Sequence, residues 1–159
     1  MTQRLDYYGK APDAAKKYLA FSQAVHGGEL DDILRELVNL RASQMNGCAF
    51  CTDMHVKGAR LAGERELRLH HVAVWRESPL FDERERAALE WTEALTRLSL
   101  EGVSQALFER MRGILGEALL AQLTFAVVAI NGWNRVVAAF TPVPGSSDAL
   151  LGLDKAGLS

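Results

Sequence analysis

The chain has 159 residues, two cysteines, 18 Lys and Arg against 20 Asp and Glu, and a formal charge of -2. That length supports one domain with a core large enough to stand without disulfide or metal staples. The near balance of charge excludes the electrostatic footprint of a nucleic-acid or anionic-membrane binder and leaves small molecules or other proteins as partners.

Met-Thr-Gln-Arg-Leu-Asp-Tyr-Tyr at the N-terminus lacks the charged-then-apolar pattern of a secretory signal. Two cysteines without such a signal point to a reducing, cytoplasmic compartment, where Cys-x-x-Cys is more often catalytic or metal-binding than structural. Residues 1–10 read as an extended lead-in carrying Tyr7 and Tyr8. A first helix is predicted from Pro12, which suits a first-turn position, through Tyr18, Leu19, Phe21 and Val25 to the stop at Gly27-Gly28. A second starts at Asp31 or Asp32 and puts Leu30, Ile33, Leu34, Leu37, Val38 and Met45 on one broad face, with Glu36, Leu40 and Ser43 flanking it. Asn46-Gly47 breaks that helix and gives the next its N-terminus at Cys48.

The third helix is expected from Cys48 to Ala62, ending at Gly63, and a fourth from Glu64 to about Trp75, stopping ahead of Ser78-Pro79. Asp82 to Glu85 has the form of a capping box for a fifth, carrying Ala88, Leu89, Trp91, Leu95 and Leu98. Ser104 caps a sixth. The last, Glu117 to Phe140, is apolar nearly all round, the pattern of a helix buried centrally or against another subunit; Gln122, Thr124, Asn131, Asn134 and Arg135 interrupt it short of a membrane span. Asn131-Gly-Trp-Asn134-Arg135 reads as an interface or structural element, and His70-His71 with Arg84 and Arg86 as solvated faces. Nothing has the period of a strand. The predicted fold is an all-α, single-domain bundle of about six or seven helices over residues 1–159, with a core at about 15–145 and a C-terminal arm at 141–159.

The chemistry concentrates between Glu36 and His55. At about 100° per residue, Cys51 falls at about 300° and His55 at about 340° from Cys48, so two thiols and an imidazole share one stripe. Gly58, Ala59 and Ala62 continue it inward, while Asp53, Lys57 and Arg60 are expected to face water. A helix N-terminus favours the thiolate, the reactive form of cysteine. His55 is one turn past Cys51, placed to accept its proton, although Cys48 is nearer the helix start. Glu36 alone reads as a solvated charge; as a carboxylate orienting His55 it would complete a nucleophile, base and orienter set. The competing use is zinc, with Cys48, Cys51, His55 and one of His26, His70 or His71 as ligands, but the second short-spaced pair typical of structural sites is missing. The other plain alternative is two packed cysteines.

Glu36 followed by Ser43-Gln-Met-Asn-Gly-Cys48-Ala-Phe-Cys51-Thr-Asp-Met-His55 resembles the alkyl hydroperoxidase D (AhpD-like) and carboxymuconolactone decarboxylase superfamily, and Asn131 to Arg135 with the Pro-x-Pro-Gly after it resembles the end of that family's core. The resemblance implies an all-α homo-oligomer, a trimer or hexamer, that reduces organic hydroperoxides with a dithiol or protein-thiol reductant and without metal, flavin or haem. It assigns Cys51 as the attacking thiol, Cys48 as the resolving thiol, His55 as the base and Glu36 as the relay carboxylate. The best-known peroxidases of the family carry a histidine directly before the second cysteine, where this chain has Phe50. A lactone-decarboxylase type of enzyme and a non-catalytic dithiol redox sensor are the alternatives; the decarboxylase branch typically lacks the cysteine pair.

Overall fold

A computed structural model describes residues 2–158, and among them the chain is all-α, with nine α-helices and two 3-10 turns. α1 is Tyr7–Lys10, α2 Pro12–Ala24, α3 Asp32–Met45, α4 Ala49–Leu61 and α5 Glu66–His71, which runs into a 3-10 turn at Val72–Val74. α6 is Glu83–Thr96, α7 Gln105–Leu115, α8 Glu117–Phe140 and α9 Asp148–Leu151, followed by a 3-10 turn at Leu153–Ala156.

Most boundaries follow from local capping. Asp31 accepts from the Leu34 N–H at 2.9 Å and Ser104 from the Leu107 N–H at 3.2 Å, while Asp82 and Glu85 form the expected reciprocal box, each satisfying N–H groups that a helix start leaves unpaired. Two boundaries differ from expectation. The lead-in contains a short helix, capped by the Asp6 carboxylate on the Gly9 N–H at 3.0 Å. The fourth helix is only six residues long: it starts two residues late, with the Glu64 carboxylate held by the Arg65 N–H and the Arg68 guanidinium, and it passes into the 3-10 turn at Val72–Val74.

α3 is the hub, packed by α4, α6 and α8 together. It supplies Leu34 and Val38 to a core with Trp91, Met111, Leu123 and Val127, and Leu37 and Leu40 to a second with Leu69, Val72, Trp75 and Leu89. Ala42 goes to a third, small cluster with Cys48, Phe50, Cys51, Ile130 and Val137. Surrounded in this way, α3 buries its flanks as well as its apolar face: Ser43 and Leu40 are fully buried and Glu36 is 8% exposed.

α8 has the length and apolar composition of a membrane span, which corrects the expectation that its polar interruptions leave it short of one. It packs as a core helix, with ten of its residues buried against neighbours that include α2, α3, α6 and α7. Its burial is nonetheless one-sided, because Phe125 and Val128 stay exposed.

Two expected solvent faces are covered. Lys57 is buried because residues 145–156 lie across α4: its ammonium bonds Asp53 at 2.8 Å and Asp148 at 2.6 Å, and Leu153 and Ala156 are buried beside it. Asp148 first, then Asp53, raises the Lys57 pKa. Arg86, half-buried, donates to the carbonyls of Trp75, Arg76 and Ser78 and stacks on the Trp75 ring, so it fixes the turn ahead of α6.

Candidate active site

The turn between α3 and α4 fixes the cysteines. Gly47 sits at φ +64°, a left-handed conformation that glycine adopts without the Cβ penalty, and Cys48 becomes the N-cap of α4. The Asn46 amide ties this turn to α8, donating to Asn131 Oδ1 at 3.0 Å and Asn134 Oδ1 at 2.8 Å. Asn134 donates in turn to Ser43 Oγ at 3.2 Å. The polar break in the last helix is therefore an internal brace for the cysteine turn. Gly132 has its own reason: a Cβ there would lie 1.8 Å from the Tyr18 hydroxyl, which donates to the Ala129 carbonyl at 2.8 Å and pins α2 on α8.

Cys48 and Cys51 are disulfide-bonded, with Cα atoms 5.4 Å apart and exposures of 6% and 3%. The Cys51 N–H donates to Cys48 Sγ at 3.2 Å. The two sulfurs have different surroundings. Cys51, with Phe50, Met54 and His55, lines a cavity of about 350 Å³, whereas Cys48 is not part of its wall.

One turn past Cys51, His55 Nδ1 donates to Glu36 Oε2 at 2.8 Å. An ionised carboxylate only accepts, so Nδ1 carries the hydrogen and Nε2 is left as the basic nitrogen. The other Glu36 oxygen accepts from Arg35 Nη2 at 3.1 Å. Burial by itself raises the Glu36 pKa; His55 and then Arg35 outweigh it and hold the carboxyl below its ordinary value. Gly58 makes room for this carboxylate, since a Cβ there would be 3.0 Å from Glu36 Cδ.

The structure thus brings Glu36, His55 and Cys51 together, with Cys48 behind. Among the described residues no group of three His, Cys, Asp or Glu side chains is placed to hold a metal ion, and His70 and His71 lie outside the cavity, His71 paired with Ser78 Oγ. The rest of the cavity wall comes from distant chain. Tyr7 and Tyr8 arrive from α1, Leu19 and His26 from α2 and just beyond it, Ile130 and Trp133 from α8, and Leu150 and Leu151 from α9. Sequence reading passed over Arg35 and the wall residues Tyr7 and Tyr8 as parts of the site, and raised His26 only as a possible zinc ligand; adjacency to Glu36 is the one local signal that could have picked out Arg35.

The family model described as the carboxymuconolactone decarboxylase family matches residues 12–94. Uncharacterized protein YdfG of Bacillus subtilis is 37% identical over 136 residues, 86% of this chain and 92% of that one. A solved protein of unknown function from Agrobacterium tumefaciens, provisionally described as an antioxidant defence protein AhpD, superposes with a TM-score of 0.83 at 39% identity, over 89% of this chain and 99% of its own. An uncharacterized peroxidase-related protein from Ralstonia eutropha, described as an alkylhydroperoxidase AhpD core, shares the fold at a TM-score of 0.75 and 24% identity, covering 88% of this chain and 75% of its own. A family match over more than half of the chain and a relative aligned over nearly its full length agree with the helical architecture: the chain belongs to the carboxymuconolactone decarboxylase family, within the AhpD-like superfamily.

Proposed function

We propose that the protein is a thiol-dependent reductase of organic hydroperoxides. The observation that carries this reading is the opening of the cavity onto Cys51 beside a histidine whose Nδ1 is held by a buried carboxylate. In the reduced enzyme, His55 Nε2 takes the Cys51 proton, and the thiolate attacks the outer oxygen of the hydroperoxide. The S–O bond forms as the O–O bond breaks, and the electron pair leaves on the inner oxygen, which takes a proton to give the alcohol. Cys51 is then a sulfenic acid; the Cys48 thiol attacks its sulfur, water leaves, and the disulfide present in the structure is the product. An external dithiol or protein thiol returns two electrons by exchange.

The cavity wall, with Leu19, Ile130, Trp133 and Leu151, favours an organic substituent over hydrogen peroxide by apolar burial. The cysteine pair at the site supports this chemistry over lactone decarboxylation, and a catalytic wall around Cys51 supports it over a bare redox switch. The cytoplasm, whose thiol pools would reduce the pair, is the compartment that suits the reaction. Assembly into a trimer or hexamer would cover the exposed Phe125 and Val128 of α8.

The test is steady-state turnover of cumene hydroperoxide with a dihydrolipoyl dithiol as reductant. Glu36→Gln and His55→Gln should each lose about 10²-fold or more, the usual worth of a positioned general base, and light scattering of the same preparation should give a multiple of the 17.5 kDa chain. Turnover that is absent from the wild type, or retained in both variants, contradicts the reading; a monomer contradicts the assembly.

A further inference from the structure

His55 has one nitrogen for Cys51, because the other is committed to Glu36. Breaking the O–O bond places negative charge on the inner oxygen; the proton that His55 has taken from Cys51 completes the alcohol, and Cys51 and Glu36 offer no second donor to stabilise the charge as it forms. Some polar groups of the same cavity wall are engaged, while the side chains of Tyr7, Tyr8, Gln23 and Asn39 make no hydrogen bond among the described residues. Arg35 is spent on Asp32 and Glu36. Ser22 donates to the Tyr18 carbonyl and accepts from Trp133 Nε1 at 2.7 Å.

His26 is different. It follows the C-terminus of α2, where its backbone N–H bonds the Gln23 carbonyl at 3.2 Å, and the Gln122 amide holds the carbonyls of Val25 and Gly27 on either side. His26 is solvent-exposed and contributes to the wall of the cavity that Cys51 and His55 also line. The ring hydrogen bonds of the described histidines belong to His55 and His71, so both nitrogens of His26 are open to a ligand. We propose that His26 is a second imidazole of this site, donating an N–H to the inner oxygen of the bound hydroperoxide and stabilising the alkoxide that forms as the O–O bond breaks.

The inference rests on the hydroperoxide-reductase reading and adds a residue to it. Its electrostatics suit a neutral donor. Burial lowers the His26 pKa and Arg35 lowers it further; Glu36 and Asp32 on α3 oppose them, and His55 on α4 adds to the lowering. The α8 wall at Ala126, Ala129 and Ile130 contributes no charge. The ring is therefore uncharged at neutral pH with one N–H, and a neutral imidazole can act as an electrophile without protonating its neighbours. The proton that completes the alcohol is the one His55 took from Cys51, so no further reactant is required.

The experiment compares two reactions of the reduced protein at Cys51. One is oxidation by cumene hydroperoxide, followed by rapid quench and intact mass. The other is alkylation by iodoacetamide, which needs the thiolate but expels iodide and gains nothing from a donor at oxygen. His26→Ala should slow oxidation by about 10²-fold or more, in the range of lost oxyanion donors, and leave alkylation within about twofold. His26→Gln, which keeps an N–H, should recover most of the oxidation rate. Oxidation of His26→Ala at the wild-type rate, a parallel fall in alkylation, or no recovery in His26→Gln overturns the assignment. A wild type that is alkylated but inert to the hydroperoxide removes the reductase reading itself and the His26 role with it.

Discussion

Glu36 shows how surroundings set the meaning of a residue. A glutamate beside an apolar helical stripe is ordinarily solvated, and in the sequence only its pairing with His55 and the family resemblance give Glu36 another role. On the central helix α3 it is buried, and its two oxygens are taken by His55 and Arg35. The space for it comes from Gly58, one turn beyond His55. Alanine in place of a helical glycine ordinarily gains roughly 1 kcal/mol, but here the new Cβ would sit 3.0 Å from a carboxylate held at both ends. Gly58→Ala should therefore leave the melting free energy within about 1 kcal/mol of wild type while slowing peroxide oxidation of Cys51 by about tenfold through the displaced Glu36 and His55. Unfolding and oxidation measured together check this; an unchanged oxidation rate would mean that the carboxylate position does not govern the thiol. At this scale the cysteines and His55 were legible because each lies about one helical turn from the next. Arg35 was not, because it acts through Glu36, and His26 entered only as a possible zinc ligand, because it reaches the cavity only when α2 folds back onto α8.

Elements were legible where capping is local. Asp31, Asp82 and Ser104 each stop the backbone with their own side chains, and the helices begin where those residues say. The errors fall where a boundary or a face depends on more than its own stretch of chain: α5 starts two residues late, with Glu64 ion-paired to Arg68, and Lys57, read as solvent-facing from its place on α4, is roofed by α9 and the turn after it. This segment also brings Leu150 and Leu151 to the cavity, so the pair of Lys57 with Asp148 connects the site's outer wall to the helix that carries Cys51. Because the folded Lys57 pKa is raised above its ordinary 10.5, the pair's contribution is complete below that value and is lost only as pH rises through the higher folded one; at pH 7 it is fully present. Lys57→Met would leave two carboxylates facing each other. Hydrogen exchange of residues 145–156 should then rise markedly at pH 7 with α3 and α8 unchanged, as expected for local release rather than global unfolding. Unchanged protection of the segment would show that Leu153 and Ala156 hold it without the ion pair.

For the molecule as a whole, the all-α architecture was legible from helical periodicity and the lack of strand-like alternation, and the order of the main helices follows the sequence reading. The cavity was not legible. Its wall draws on α1, α2, α3, α4, α8 and α9, and no periodicity in one helix reports what five others place across from it. What the fold accomplishes is an asymmetry between two sulfurs three residues apart: Cys51 opens on the cavity beside His55, and Cys48 waits behind it at the cap of α4.

That asymmetry is tested most directly by the intact mass of reduced wild type, Cys48→Ser and Cys51→Ser after one equivalent of an organic hydroperoxide. The account predicts a loss of about 2 mass units in wild type as the disulfide closes, a gain of about 16 in Cys48→Ser as the sulfenic acid is trapped, and no change in Cys51→Ser. Oxygen trapped on Cys51→Ser instead would reverse the roles of the two thiols, and unchanged mass in all three would contradict peroxide chemistry at this site.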